Sequence, residues 1–146
     1  MTANTSSQPK SAPASRRPVG VTLLAIVLFL FGLFAFTGSL FLWGKGFLPA
    51  FPAGVDYAYP VADILINAPA SILAAAGLWK QKFWGYAASQ FVAGFYIYAS
   101  VEIFVTVVQE GPPYAMEIVV PQVAALLVAV GLVVYLWRIR ERFIGV

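Results

Sequence analysis

Residues 19–44, VGVTLLAIVLFLFGLFAFTGSLFLWG, decide the fold, because this stretch contains no charged side chain. A helix of about 20 apolar residues is long enough to cross the hydrocarbon core of a bilayer. Trp43 lies near the end of the stretch, and Trp is enriched at the membrane–water interface. We therefore predict a membrane-spanning helix over residues 19–43. A cleaved signal peptide is the alternative, but its apolar segment usually has only about 7–15 residues.

The composition of the whole chain agrees with a membrane protein. Of the 146 residues, 61% are hydrophobic and 10% are charged, whereas soluble domains have about 45–50% apolar and about 25% charged residues. A soluble core of this size cannot bury such an excess, so the lipid bilayer is the expected surrounding. Lys and Arg sit in short blocks beside apolar runs and form no solvated basic patch, so we expect no nucleic-acid partner.

Three further apolar runs follow, separated by segments rich in Pro, Gly and charge. The sequence thus predicts an all-α fold, a membrane-spanning four-helix bundle whose second helix is kinked at Pro69. Its predicted parts are a flexible cytoplasmic tail over residues 1–18, a transmembrane domain over residues 19–137 with helices at 19–43, 60–79, 84–108 and 118–137, and a basic cytoplasmic tail over residues 138–146.

The positive charges predict how the chain is oriented. Cytoplasmic loops of membrane proteins carry the excess of Lys and Arg. All but one of the cations fall on one side of the predicted bundle, and Lys45 alone falls on the other. We therefore expect both termini in the cytoplasm, in a multi-pass protein of the cell (plasma) membrane. The cations expected to set the topology or to face lipid headgroups include Arg16, Arg17, Lys80, Lys82, Arg138, Arg140 and Arg142.

Small residues predict which helix faces meet, since they let helix backbones approach closely in lipid. The third helix offers two such stripes. One contains Gly94 and continues through Tyr98 to Glu102, and the other is the motif Gly85-x-x-x-Ser89-x-x-x-Ala93. We expect the stripe around Gly94 to pack against a neighbouring helix.

Ionisable groups inside a membrane are costly and are the first candidates for function. Two acids fall within the predicted helices, and together with three neighbouring polar residues they form a candidate polar site open to the outside: Asp63, Asn67, Tyr98, Glu102 and Gln122. The alternative for Asp63 is a structural carboxylate at the positive end of a helix dipole. The alternative for Glu102 is a hydrogen bond that only stabilises packing.

The residue inventory limits the chemistry. The chain has no Cys and no His, which removes thiol redox chemistry, Cys or His metal ligands and a His base. Ser and Thr occur without a base, and no Gly-rich phosphate loop is present. We therefore expect no catalytic residues, no metal, no cofactor and no enzymatic activity.

Two segments carry a resemblance. The opening RPVGVTLLA at residues 17–25 and the turn GLWKQKFWG at residues 77–85 resemble those of uncharacterised small four-helix integral membrane proteins of prokaryotes. The likeness implies the layout and no activity. The first functional hypothesis is a non-enzymatic structural or accessory component that associates with other membrane proteins or with itself. The alternative is a small transporter, or a protein that binds a proton or cation, using Asp63 and Glu102.

Overall fold

The computed structural model describes residues 17–45, 58–110 and 116–144, and these are almost entirely helical, with no strand among them. The elements are α1 (Val19–Lys45), α2 (Ala58–Ala62), a π-helical segment (Asp63–Asn67), α3 (Ala68–Trp79), α4 (Phe83–Glu110), α5 (Met116–Arg138) and the short α6 (Glu141–Ile144). The predicted tail up to Arg16 and most of the two longer predicted loops lie outside the described residues.

Four helical stretches are long and apolar enough to cross a membrane: Val19–Phe41, Pro60–Trp79, Phe83–Gln109 and Val119–Arg138. The predicted all-α chain with four such helices is therefore confirmed. The helices extend one or two residues beyond the predicted ends. Continuous pairing of backbone groups inside each helix is what an apolar solvent demands.

The four stretches pack in chain order. α1 lies against α3, α3 against α4, and α4 against α5, whereas α1 and α5 touch only over a short length. Near the N-terminal end of α1, Gly20 lies directly against the ring of Tyr135 on α5. The core between the helices is built from small and aliphatic side chains, including Val21, Leu28, Ala74, Leu78, Val92, Ala93, Ala129, Leu132 and Leu136.

The closest approach between helices is made by two glycines at the turn between α3 and α4. A side chain on either Gly77 or Gly85 would overlap the backbone of the other. The turn itself is held by two hydrogen bonds, from the Lys82 N–H to the Gly77 carbonyl (3.0 Å) and from the Gln81 N–H to the Leu78 carbonyl (3.0 Å). This pair of bonds is the Schellman motif, which places Gln81 in the left-handed region at φ 51°.

The buried face of α4 follows the second of the two predicted stripes. Gly85, Ser89 and Ala93 are buried, and the same face continues one and two turns later with Tyr96 and Ser100. The expectation that the Gly94 stripe packs inward was wrong, because Gly94 is exposed and a Cβ added there meets nothing within 4 Å. The two stripes are offset by about 100° around α4, and because both carry small residues, their spacing alone does not decide which of them faces inward.

One end of the molecule gathers the aromatic and basic residues. Trp79, Trp84 and Trp137 are all about half exposed there, as expected for side chains at a membrane interface. The Arg17 guanidinium lies 4.2 Å from the Trp79 ring centre. The predicted basic tail also does more than carry charge, since α6 buries Phe143 to 1% exposure against Tyr86, with ring centres 5.8 Å apart.

Candidate functional site

The site is built around the five residues at which the second stretch leaves α-helical geometry. Between Asp63 and Asn67 the backbone winds as a π-helix, and the Ala68 N–H donates to the Asp63 carbonyl five residues earlier. Pro69 explains the departure, because it donates no N–H and its ring crowds the carbonyl four residues before it. Single π turns inside α-helices are frequent at functional sites.

A chain of hydrogen bonds connects the π-helical segment to α1 and α4. The Ser39 hydroxyl of α1 donates to Asp63 Oδ2 (3.1 Å), and Asn67 Nδ2 donates to Asp63 Oδ1 (2.8 Å). The Ser71 hydroxyl donates to Asn67 Oδ1 (3.1 Å) and lies 3.0 Å from the Tyr96 hydroxyl of α4. Four consecutive contacts thus tie three of the four long stretches together through polar side chains.

The direction of these bonds identifies Asp63 as the acceptor at the end of the chain. A serine hydroxyl has one proton, and Ser71 uses its proton toward Asn67, so the Tyr96 hydroxyl is the donor to Ser71. Every donor in the series therefore points toward the Asp63 carboxylate. A carboxylate oxygen has about two acceptor positions, so each Asp63 oxygen keeps one further position beyond the protein donor it already has.

Asp63 faces a cavity of about 190 Å³ that lies between α1, the π-helical segment, α4 and α5. Among the described residues that line it, Asp63 is the one charged side chain. Its polar wall consists of Ser39, Asp63, Asn67 and Gln122, and its aromatic wall consists of Phe31, Phe34, Phe95 and Tyr96. A carboxylate beside aromatic faces is an arrangement that attracts cations.

Three of the four residues of the polar wall lie at one depth, close to one end of the molecule. Ser39 precedes the end of α1 by six residues, Asp63 follows the start of α2 by five, and Gln122 follows the start of α5 by six. At 1.5 Å of rise per residue, each lies about 8–9 Å from its helix end. This end is opposite to the end that carries Lys80, Lys82, Trp79, Trp84 and Trp137.

On the α5 side the cavity is closed by Gln122, next to Pro121. The Ser100 hydroxyl of α4 donates to the Gln122 backbone carbonyl at 3.1 Å and lies 3.5 Å from its side-chain oxygen. Ser100 is fully buried. This contact fixes α4 to α5 at the cavity, so that the Gln122 side chain forms part of the wall.

Three of the five predicted site residues meet at the cavity, and two do not. Asp63, Asn67 and Gln122 line it. Tyr98 and Glu102 lie on the exposed face of α4, where Tyr98 is 66% exposed, and neither faces Asp63. The expectation of one pocket shared by all five needs this correction, and its physical reason is the rotation of α4, which turns Tyr96 and Ser100 inward instead.

The sequence contained a signal for the residues that the prediction missed. Ser71 continues the four-residue spacing that begins with Asp63 and Asn67. Tyr96 and Ser100 continue the motif that begins at Gly85 at spacings of three and four. Ser39 continues the small-residue spacing of Gly32 and Ala35 on α1, but its contact with Asp63 depends on how α1 and the π-helical segment meet.

Within the part of the chain that the structure describes, no three acidic residues come together as a possible metal site. No protein-family model, no curated protein and no solved structure matches the chain, so the resemblance to small prokaryotic membrane proteins stays a prediction.

Proposed function

We propose that this protein is a multi-pass membrane protein that binds a small solute in the cavity beside Asp63, as a transporter or a solute-binding protein does. The single observation that carries the proposal is the hydrogen-bond chain in which Ser39 and Asn67 donate to a carboxylate at a cavity wall. Buried acids in membrane helices need a partner. The four stretches long enough to cross a membrane contain one basic residue, Arg138, which is the last residue of α5 at the opposite end. Lys45, the last residue of α1, lies beyond them.

The proposal assigns no enzymatic activity to the cavity. The neighbours of Asp63, Ser39 and Asn67, act as hydrogen-bond donors that orient the carboxylate. Catalysis by an acid or base requires a group that gives or takes a proton within reach of a reacting atom. Fixed donors around one carboxylate favour recognition of a ligand over turnover.

We also propose that both termini lie in the cytoplasm. The cluster of cations at the end away from the cavity supports this orientation. Under this orientation the cavity lies in the outer leaflet. Cysteines introduced at Ser11 and Gly145 should resist an impermeant thiol reagent in intact cells, whereas a cysteine at Gly111 should react. Labelling at either terminus from outside would refute the orientation.

A cysteine pair tests whether the cavity admits water and solutes. The chain has no Cys, so all thiol modification of a variant comes from the one cysteine that is introduced. Gly38 lines the cavity, and a Cβ at Gly38 or at Gly94 meets nothing within 4 Å, so both substitutions fit. Because the thiolate is the reactive form, a small neutral water-soluble reagent should modify Gly38→Cys at least about tenfold faster than Gly94→Cys. Equal rates would contradict a solute-accessible cavity.

Association with another membrane protein is a second candidate function, favoured by the outer face of α4. Glu102 is exposed there, although it precedes the end of α4 by eight residues, or about 12 Å along the helix. A carboxyl group facing lipid at this depth is costly, and such groups pair with other groups. A neighbouring helix from another protein or a second copy, with a hydrogen-bond donor or a cation at this depth, would satisfy it.

The test is recovery of a complex from native membranes. Glu102→Leu removes the carboxyl group and keeps the face apolar, and Val130→Leu on the exposed face of α5 is the matched control. The second candidate predicts that a tagged wild-type chain and Val130→Leu retain the same partner or the same oligomer, and that Glu102→Leu loses it. A complex that survives Glu102→Leu, or no complex for any variant, would refute it.

A further inference from the structure

The cavity occupies the place where α1 and α5 fail to meet. These two helices touch near Gly20 and Tyr135 at the basic end. Toward the opposite end the cavity has Phe31 and Phe34 of α1 on one side and Pro121 and Gln122 of α5 on the other. Phe34, although it lines the cavity, is 62% exposed on the outer surface. The cavity is therefore a cleft with one side turned toward the surface that faces lipid.

Polar and apolar walls are separated along the membrane normal. The carboxylate of Asp63 and the hydroxyl of Ser39 lie at the shallow end. Phe34 and Phe31 precede Ser39 by five and eight residues, which places the α1 part of the aromatic wall about 8–12 Å deeper. Phe31 and Tyr96 hold this deeper wall in place with ring centres 5.8 Å apart. A ligand that fills the cleft must be polar at one end and apolar along the rest.

The shallow end selects the charge of that ligand. The Ser39 hydroxyl proton and one Asn67 amide proton already point at Asp63, and an anion that approached the remaining amide protons of Asn67 and Gln122 would be repelled by the carboxylate. The positions that remain on the carboxylate are acceptors. An ammonium group supplies up to three donors and a compensating charge, whereas a neutral alcohol supplies one donor and no charge.

From this arrangement we infer that the ligand is an amphipathic organic cation, an alkylammonium whose charged end binds Asp63 and whose hydrocarbon chain lies along Phe31 and Phe34, entering from the bilayer between α1 and α5. The inference rests on the proposed solute-binding function and names its substrate class. It explains why one end of the cavity is polar while the wall facing the bilayer is aromatic.

Protection of Gly38→Cys provides the test. The full chain with this substitution is reconstituted in phosphatidylcholine vesicles and treated with the small neutral thiol reagent in the presence of n-octylammonium. Three matched probes are compared with n-octylammonium. n-Octanol has the hydrocarbon chain without a charge, octanoate has the opposite charge, and methylammonium has the positive charge without the hydrocarbon chain. We expect octylammonium to slow the modification at concentrations at least about tenfold lower than any of the other three.

Two variants separate the contributions. Asp63→Asn keeps the size of the side chain and can still accept from Asn67, so it should fold, and it should raise the octylammonium concentration needed for protection at least about tenfold. Phe34→Ala alters an exposed rim residue and should weaken protection by octylammonium while leaving methylammonium unchanged.

The outcomes distinguish this inference from the function on which it rests. If Gly38→Cys does not react at all, the solute-accessible cavity is refuted. If it reacts but octanol protects as well as octylammonium, or methylammonium does, the amphipathic cation is refuted and the cavity stands. If protection by octylammonium is unchanged in Asp63→Asn, the ammonium does not bind at Asp63 and the inference fails.

Discussion

Gly85→Ala should destabilise the protein, while the same change at Gly94 in the same helix should not. An added Cβ at Gly85 would overlap the Gly77 backbone across the α3–α4 crossing. The reciprocal change shows the scale, because a Cβ at Gly77 would lie 2.7 Å from the Gly85 nitrogen, 0.7 Å short of the 3.4 Å at which ordinary contact begins. These obstacles are backbone atoms, which cannot rotate aside, so the two helices must move apart.

The magnitude follows from comparing the two sites. Overpacking a tight contact costs about 1–3 kcal/mol. Ala is a better helix former than Gly by about 1 kcal/mol, and both variants receive this gain because both glycines lie inside α4. The difference between them therefore isolates the contact. We expect Gly85→Ala to be less stable than Gly94→Ala by about 1–3 kcal/mol.

Unfolding in mixed micelles measures this difference. The purified variants are titrated with a denaturing detergent, and the fluorescence of Trp84, the residue next to Gly85, is part of the signal. The midpoints give the relative free energies of unfolding. Equal stabilities for Gly85→Ala and Gly94→Ala would mean that the two helices do not cross at these glycines, and the inward face of α4 would have to be reassigned.

Three further predictions concern stability and use the same measurement. Ser71→Ala should cost about 1–2 kcal/mol more than Ser89→Ala, because it leaves buried groups of the hydrogen-bond chain that ends at Asp63 without a partner. The equally buried Ser89 bonds only a carbonyl of its own helix. Equal losses of stability would argue against this hydrogen-bond chain. Gln81→Gly should stabilise the turn by up to about 1 kcal/mol, because Gly adopts positive φ without strain, and a loss of stability would contradict the turn geometry. Phe143→Ala should lower the free energy of unfolding by about 3–5 kcal/mol, while Ile144→Ala, at a position that is 62% exposed, should change it little. Similar losses of stability for the two variants would show that α6 is not packed on Tyr86.

The four helices could be predicted because lipid imposes a simple rule on sequence. Each long stretch must be apolar for about 20 residues, and charges and prolines interrupt the chain only between stretches or at defined places such as Pro69. These signals are local, so the helix ends could be placed to within one or two residues without knowing the neighbours of any helix.

The rotation of each helix is a harder problem, and it decided which of the predicted site residues line the cavity. Asp63 and Asn67 could be grouped from the sequence because polar residues are scarce in their helix. On α4, Tyr96 and Tyr98 are two residues apart, and only contact with Ser71 and the Gly77–Gly85 crossing turns Tyr96 inward. In a membrane both faces of a helix are apolar, so the amphipathic pattern that would fix rotation in a soluble bundle is missing.

The π-helical segment was also beyond the sequence. Pro69 predicted a kink, but a proline does not specify that the turn before it widens into a π-helix. Within this segment Asn67 Nδ2 lies 2.8 Å from Asp63 Oδ1. Ser39, which also bonds Asp63, lies 24 residues earlier in the chain, and only the packing of α1 on the π-helical segment brings the two together.

The most direct test of the central claim is whether Asp63 gives the cavity its charge preference. The rates at which Gly38→Cys reacts with a cationic and an anionic thiol reagent of the same size are compared, with Asp63 intact and with Asp63→Asn. A unit charge about 8 Å away, at an effective dielectric constant of about 20, contributes about 2 kcal/mol. We therefore predict that the cation reacts at least about tenfold faster when Asp63 is intact and that the two rates become similar in Asp63→Asn. A preference that is absent with Asp63 intact, or that persists in Asp63→Asn, would contradict a cation site at this carboxylate.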